Sequence, residues 1–346
     1  MRAGVLRAFG GPEGLSVEEW PDPVPAGDEV LVRVRAVCVN RTDVYLMTRT
    51  NIGRRAELPH IGGVDPAGEV VGLGPRASGR VLGERVVARP MIPCLDCRFC
   101  LGGQESACER PEYVGVHRPG GFAELVALPA RALYRIPEGV SFESAAAMAH
   151  SVPIALHLLR AVGSVGPGDT VLIVGAAGGV GLACVQVAHA LGARVLAAAA
   201  SDEKVAAVLE AGADAGLAYD PIDTLAGRVR ELSGGPGISV LVDNVGDPAL
   251  WDALVPSLDR GGRILSCGSH AGGRVTVDLN LFYSQQLRLL STAGASDAEF
   301  REALDLVAAG RVRPLIHRAV PLSDLRGAFE ELLARRNIGK IVIRVA

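Results

Sequence analysis

Four cysteines fall within fifteen residues: Cys94-Leu95-Asp96-Cys97-Arg98-Phe99-Cys100, then Cys108. The spacing C-x2-C-x2-C-x7-C suits four thiolates closing on one metal ion. A tetrahedral zinc site with no vacant position is the first reading. Iron–sulfur ligation also uses closely spaced cysteines and is the alternative. A closed zinc site folds a loop and does no chemistry of its own. Cys38, Cys184 and Cys267 lie apart from the group and read as packed thiols.

A second chemical signature is a glycine turn. The apolar run Val171–Val174 leads into Gly175-Ala176-Ala177-Gly178-Gly179-Val180-Gly181 and then a helical pattern. Strand, glycine turn and helix in that order form a dinucleotide-binding context. Glycines permit close backbone approach to a pyrophosphate, and the helix N-terminus offers free N–H groups at its positive end. Ala176, Gly178, Gly179, Val180 and Gly181 are the candidate contacts.

The next strand ends Ala197-Ala198-Ala199-Ala200-Ser201 with no acid for a ribose 2′-hydroxyl. Ser201 and Lys204 suit a 2′-phosphate instead, with Tyr219 as a further contact, so NADP(H) is favoured over NAD(H). Asp202 reads as the cap of the following helix. Lysine occurs only at positions 204 and 340, which draws attention to Lys204.

The elements that position these groups divide the chain. Glu29–Val39 alternates as a strand, and short apolar runs at 68–73 and 84–88 are bounded by Gly and Pro, which suggests a barrel-like unit. Ser141 to Ser144 opens an Ala-rich helix passing His157, with a kink or break at Pro153. From Thr170 the pattern is strands (171–174, 195–199, 238–242, 263–266) alternating with helices (180–191, 203–211, 249–258), which implies a parallel sheet covered on both faces. A helix at 297–309 and a strand at 340–345 complete the chain. The expected division is 1–151 with 292–346 as one domain and 152–291 as the other.

At 346 residues two domains are expected. Hydrophobic residues at 49% and charged residues at 21% exclude a disordered chain. A net charge of −3 gives no support for nucleic acid or an anionic membrane. Val171–Val185 is the most apolar stretch and falls short of the ~20 residues of a membrane helix. A cytoplasmic protein whose partner is a small molecule is expected.

Together the features resemble the medium-chain dehydrogenase/reductase superfamily, the zinc-type alcohol dehydrogenases and quinone oxidoreductases. The resemblance rests on Gly63-Val64-Asp65-Pro66-Ala67-Gly68-Glu69-Val70, the four-cysteine lobe, Gly120-Gly121-Phe122-Ala123-Glu124, the glycine turn with Gln186, and Gly339-Lys340. It implies an α/β protein with a GroES-like catalytic domain, a Rossmann domain and a cleft between them. It further implies a homodimer or homotetramer, and one structural zinc per subunit.

The departures bear on mechanism. By resemblance, the three catalytic-zinc ligand positions hold Asn40, Val64 and His150. Valine cannot ligate zinc and an amide is a poor ligand, so the catalytic zinc reads as lost. A rearranged site of Asp65, His150 and either His60 or Cys38 is the alternative. Hydride transfer without zinc needs a conjugated acceptor, an enone or a quinone. By position, Asn40 donates to the substrate oxygen or the nicotinamide carboxamide, Thr42 begins a proton relay, Tyr45 and His150 are proton donors, and Asp65 completes the catalytic set. Arg41 faces the pyrophosphate, Val245 and Gly268 line the cofactor site, and His117 lines the cleft. Substrate selectivity is assigned to 48–58, Met91, Pro119 and 282–285. Three functions follow: an NADPH-dependent enone or quinone reductase, a zinc-dependent alcohol dehydrogenase or carbonyl reductase with a rearranged site, and a non-catalytic nucleotide-binding protein.

Overall fold

A computed structural model describes residues 1–345. The chain forms two compact units. The first holds Met1–His150, Phe300–Gly310 and Pro314–Ala346; the second holds Ser151–Glu299 and Arg311–Arg313. The return to the first unit therefore comes at Phe300, eight residues beyond the expected 292. Glu299 accounts for this: it is bonded to His157 Nδ1 at 2.9 Å and so stays with the second unit.

The first unit contains β1 (Arg2–Leu6), β2 (Leu15–Glu19), β3 (Glu29–Val39), α1 (Arg41–Met47), β4 (His60–Ile61), β5 (Ala67–Leu73), β6 (Arg85–Ala88) and β7 (Met91–Ile92). Then come α2 (Arg98–Leu101), β8 (Glu112–Tyr113), β9 (Leu125–Pro129) and β10 (Leu133–Arg135). Its main sheet runs β10-β6-β5-β3, then on to two C-terminal strands, with β9 also on β3. Strand β3 has the expected bounds because its branched residues alternate, and Val30, Val32 and Val34 are fully or almost fully buried.

The helix α3 (Phe142–Leu156) runs through Pro153 and continues as a π-helical turn over His157–Val162. Of the kink or break expected at Pro153, the break does not occur. The proline removes one backbone hydrogen bond, and the helix persists because its residues from Ala145 to Ala149 and at Val152, Ala155 and Leu156 are buried. The span Phe142–Val162 is also long and apolar enough to cross a bilayer, which the attention to Val171–Val185 overlooked. In its most apolar window, 67% is buried inside the protein, as in a core helix.

The second unit is doubly wound. It comprises β11 (Thr170–Val174), α4 (Gly179–Ala190), β12 (Arg194–Ala199), α5 (Asp202–Glu210), β13 (Ala215–Ala218), α6 (Leu225–Ser233), β14 (Ile238–Asp243), α7 (Pro248–Leu254), β15 (Leu258–Ser266), α8 (Leu279–Gln285) and β16 (Arg288–Ser291). The parallel order β13-β12-β11-β14-β15-β16 puts the topological switch between β11 and β14. Ligands of such sheets sit at that crevice, beyond the strand carboxyl ends. The helix expected to reach Leu258 stops at Leu254, and a 3-10 turn containing Pro256 leads into β15. The chain ends with α9 (Asp297–Ala308), β17 (Ile316–Pro321), α10 (Leu325–Leu333) and β18 (Lys340–Arg344), β18 pairing antiparallel with β3.

Candidate functional site

Register builds the first part of the site. Ile341 lies opposite Val39 in the β18–β3 ladder, so Lys340 and Asn40 meet where the two strands end. Asn40 caps α1, and a capping box with Asp43 fixes its backbone. The Asn40 side chain is then fully occupied. Its Nδ2 donates to Cys38 O at 3.1 Å and to Asp65 Oδ2 at 2.9 Å, while its Oδ1 accepts from Lys340 Nζ. Both amide hydrogens are therefore spent inside the protein. The amide that the sequence assigned to a substrate oxygen or carboxamide thus has partners at the ends of β3 and β18.

Asp65 is fully buried and equally committed. Oδ1 accepts from Cys38 N at 2.8 Å, and Oδ2 lies 3.5 Å from Lys340 Nζ. Burial pushes its carboxyl up, against the pull of Lys340 and Asn40. Burial lowers the Lys340 ammonium while Cys38, Asp65 and Asp43 raise it, and the net direction is up. Asp43 accepts from Gly63 N and Asn40 N, both at 2.9 Å; burial and the nearby Asp65 still push it up to about 7. Lys340 was quoted in the sequence only as part of a motif. That it is one of two lysines was the available signal for its role.

Two residues beyond Asn40, at the start of α1, Thr42 Oγ1 meets His150 Nε2 at 2.9 Å. Both were proposed from sequence, and the structure brings them together in the first unit. Tyr45 lies half-buried on the same helix. Arg41 donates to Leu332 O at 3.0 Å, at the end of α10. Val64 is fully buried. His117 is exposed and accepts from Tyr113 N through Nδ1.

The four lobe cysteines offer ligand atoms that all lie within 4.8 Å of one another. Tetrahedral Zn–S bonds of ~2.3 Å require sulfurs ~3.8 Å apart. Cys94 and Cys100 are at 3.9 Å and Cys94 and Cys108 at 3.5 Å, so the donor set fits zinc. Backbone N–H groups of Glu109 and Cys100 bring the Cys97 thiol down to about 6, as suits a thiolate ligand. Among the described residues this is the group of three or more His, Cys, Asp or Glu side chains placed to share a metal ion. Asp65, His150, His60 and Cys38 are not brought together in that way.

In the second unit Gly175 has a φ of +68, and a side chain on Gly181 would strike Gly175 O at 2.3 Å. The turn thus needs glycine for its path and for helix packing. Gly178 is the N-cap of α4 and brings no side chain to the cap, so the first N–H groups, including those of Gly179, Val180 and Gly181, have no capping oxygen. This bare N-terminus fits a pyrophosphate. Ala176 is fully buried beneath the turn. Tyr219 Oη accepts from Gly175 N at 2.8 Å, so it braces the turn. Val245 follows β14 beside Gly175, and Gly268 follows β15 with its carbonyl near Ser266 Oγ. Ser201, not Asp202, caps α5: its Oγ accepts from Lys204 N at 3.4 Å. Lys204 stands in the first turn of that helix.

Comparison with known proteins agrees with this architecture. Residues 26–138 match the alcohol dehydrogenase GroES-like domain and residues 179–309 the zinc-binding dehydrogenase domain. The chain is 29% identical over 345 residues to an acryloyl-coenzyme A reductase of Metallosphaera sedula, covering 99% of each. A solved NAD-dependent alcohol dehydrogenase superposes with a TM-score of 0.94 at 35% identity, covering 100% of both chains. A cobalt- and zinc-bound thermostable alcohol dehydrogenase from Pyrobaculum aerophilum superposes at 0.89 with 32% identity over 99% of each. With its GroES-like and Rossmann-type units, the chain belongs to the medium-chain dehydrogenase/reductase superfamily and is an NAD(P)-dependent oxidoreductase.

Proposed function

We propose that this enzyme is an NADPH-dependent reductase of activated acceptors, enones, quinones or α,β-unsaturated thioesters, that works without a catalytic zinc. The carrying observation is the buried Asn40–Asp65–Lys340 cluster. At two of the three positions that the family resemblance assigns to a catalytic zinc, this chain has a committed amide and a buried valine. A divalent cation there would also face the Lys340 ammonium.

NADPH supplies a hydride when bound. A conjugated carbonyl takes it at the β-carbon, and the α-carbon then needs one proton. Thr42 can hand over its hydroxyl hydrogen while His150 Nε2, 2.9 Å away, replaces it. The name of the Metallosphaera relative supports an α,β-unsaturated thioester as acceptor. Lys204 and the Ser201 hydroxyl support the 2′-phosphate of NADPH. We also propose one structural zinc on the four lobe cysteines, a cytoplasmic location from the cysteine usage, and a homodimer. The dimer reading rests on the edge strand β16 with exposed Leu289.

The test is an acceptor screen with acryloyl-CoA, simple enones and quinones, with and without chelator, alongside zinc counting. Chelator-resistant NADPH oxidation with one zinc per chain is expected. The likeness to alcohol dehydrogenases carries the second reading. Alcohol oxidation that falls with metal removal, and a second zinc lost on His150→Ala, would establish it. Tight NADPH binding with no turnover on any acceptor would point to a non-catalytic protein.

A further inference from the structure

We propose that His157 and Glu299 are positioning residues: they brace α3 where its own backbone is weakest, and so hold His150 on Thr42. Their role rests on the relay in the function proposed above. The weakness has two causes. Pro153 has no N–H to give to Ala149 O, one turn back. From His157 the hydrogen bonding shifts to the wider π pattern, as in Gly163 N to Leu158 O at 2.9 Å. Between His150 and Ser151 the chain also passes from the first unit to the second. The helix is therefore softest just beyond the residue that must stay within hydrogen-bond reach of Thr42 for proton transfer.

His157 lies two helical turns beyond His150, about 10 Å along the helix and on the same stripe. Its Nδ1 meets both carboxylate oxygens of Glu299 at 2.9 Å. Glu299 also accepts from Ser296 N and Ser296 Oγ, each at 2.8 Å, in the capping box that opens α9. Both side chains are largely buried, at 16% exposure for His157 and 7% for Glu299. Burial pushes the Glu299 carboxyl up, but His157 and Ser296 outweigh it and hold it below its usual range. A carboxylate locked to the start of a helix is a fixed post, and His157 ties α3 to it. That helix, α9, is also where the chain returns to the first unit, between Glu299 and Phe300. So α3 has a histidine pin on each side of Pro153, His150 on Thr42 and His157 on Glu299. The pair of His317 Nε2 and Glu331, at 2.8 Å, provides the contrast. Arg318 already holds that carboxylate at 2.6 Å, and all three residues lie within the first unit. Their elements, β17 and α10, carry no relay residue.

The test compares the intact wild-type enzyme with Glu299→Ala, Glu299→Gln and Arg194→Ala. Arg194 donates to Ser233 O and Leu232 O at the end of α6, so its loss weakens the second unit without touching the brace. In Glu299→Ala, amide exchange over 151–162 should quicken by roughly tenfold. The nitrogen-15 resonance of His150 Nε2 should move as its bond to Thr42 loosens. With an acceptor in hand, kcat should fall by roughly tenfold with little change in KM. Glu299→Gln keeps an acceptor oxygen for His157 and should recover most of each effect. Arg194→Ala should lower the melting temperature yet leave the His150 resonance and the exchange over 151–162 as in wild type. Unchanged exchange and an unmoved His150 resonance in Glu299→Ala would overturn the brace. Equal changes in Arg194→Ala would overturn it too, by reducing Glu299 to general stability. If no acceptor is ever reduced, the exchange and the resonance still decide it.

Discussion

Within the first unit, residues 94–108 and the Asn40–Asp65–Lys340 cluster solve the problem of gathered polar groups in different ways. In the lobe, four sulfurs converge, and their mutual distances match a shared cation. In the buried cluster, the cation is already part of the chain. Lys340 Nζ holds Asn40 and Asp65, and their remaining valences close on Cys38. Four thiolates with one exposed guanidinium, Arg110, beside them need a metal to be stable together. A carboxylate with a buried ammonium and two N–H donors does not. On the function proposed above, the two regions would let one dehydrogenase fold hold a structural metal and do without a reactive one.

The largest expected effect is in the lobe. Replacing Cys97 with Ser should abolish stoichiometric zinc, because apparent free energies of structural zinc run to about 10 kcal/mol or more. Metal analysis and proteolysis of the 94–108 loop would read the result. If Cys97→Ser kept its zinc and its protease resistance, the lobe would not be metal-organised, and the comparison would fail at its first term.

Next in size is Lys340→Met. It leaves Asp65 buried without its cation and should cost about 3–5 kcal/mol in urea unfolding. Adding Asp65→Asn removes the stranded charge and should recover much of that loss. A double variant no more stable than the single one would mean that the ammonium matters for packing, not for charge. Gain of a second zinc in Lys340→Met would sharpen the comparison further, by showing that the internal cation had excluded a metal.

Thr42→Ala should lower kcat by about a hundredfold with little change in KM, the usual size of a lost proton donor. His150→Phe should match it, and the double variant should be no worse than either, because the two act as one relay. Additive losses would separate them and leave His150 as packing.

How far the sequence anticipated this can be judged residue by residue. The β3 bounds, the four cysteines and the glycine turn were legible because each is a local pattern: alternation, ligand spacing, and glycine at fixed steps. Thr42 and His150 were each singled out through resemblance, but the hydrogen bond between them is visible only in the structure. The internal partners of Asn40 were not foreseen because Asp65 and Lys340 are distant in sequence, and the β3–β18 register is what brings Lys340 to it. Strands β13 and β16 went unseen, since Ala215–Ala218 has little β-propensity and β16 borrows its pairing from β15. Ser201 was taken for a ligand group alone, although its place before Asp202 and Glu203 is also that of a cap.

The smallest effect is a pH dependence that separates Asp43 from the lysine-held pair. Asp43 is almost fully buried, and its carboxyl is pushed from 3.8 to about 7 by burial and by Asp65. Between those values the folded protein binds a proton that the unfolded chain does not. The stability from this group is therefore complete below the unfolded value, and it is lost as pH rises through the folded one. Asp43→Asn cannot titrate, so the stability of wild type relative to Asp43→Asn should grow as the pH falls from 8 to 5. Asp65, also raised, adds the same sign in both proteins, and subtraction removes most of its share. Urea titrations at the two pH values give the difference directly. A gap that stays flat, or widens toward pH 8, would mean that Asp43 is ionised beside Asp65. The single ammonium would then be balancing two carboxylates, a more metal-like role for Lys340 than the comparison with the cysteine lobe now assigns.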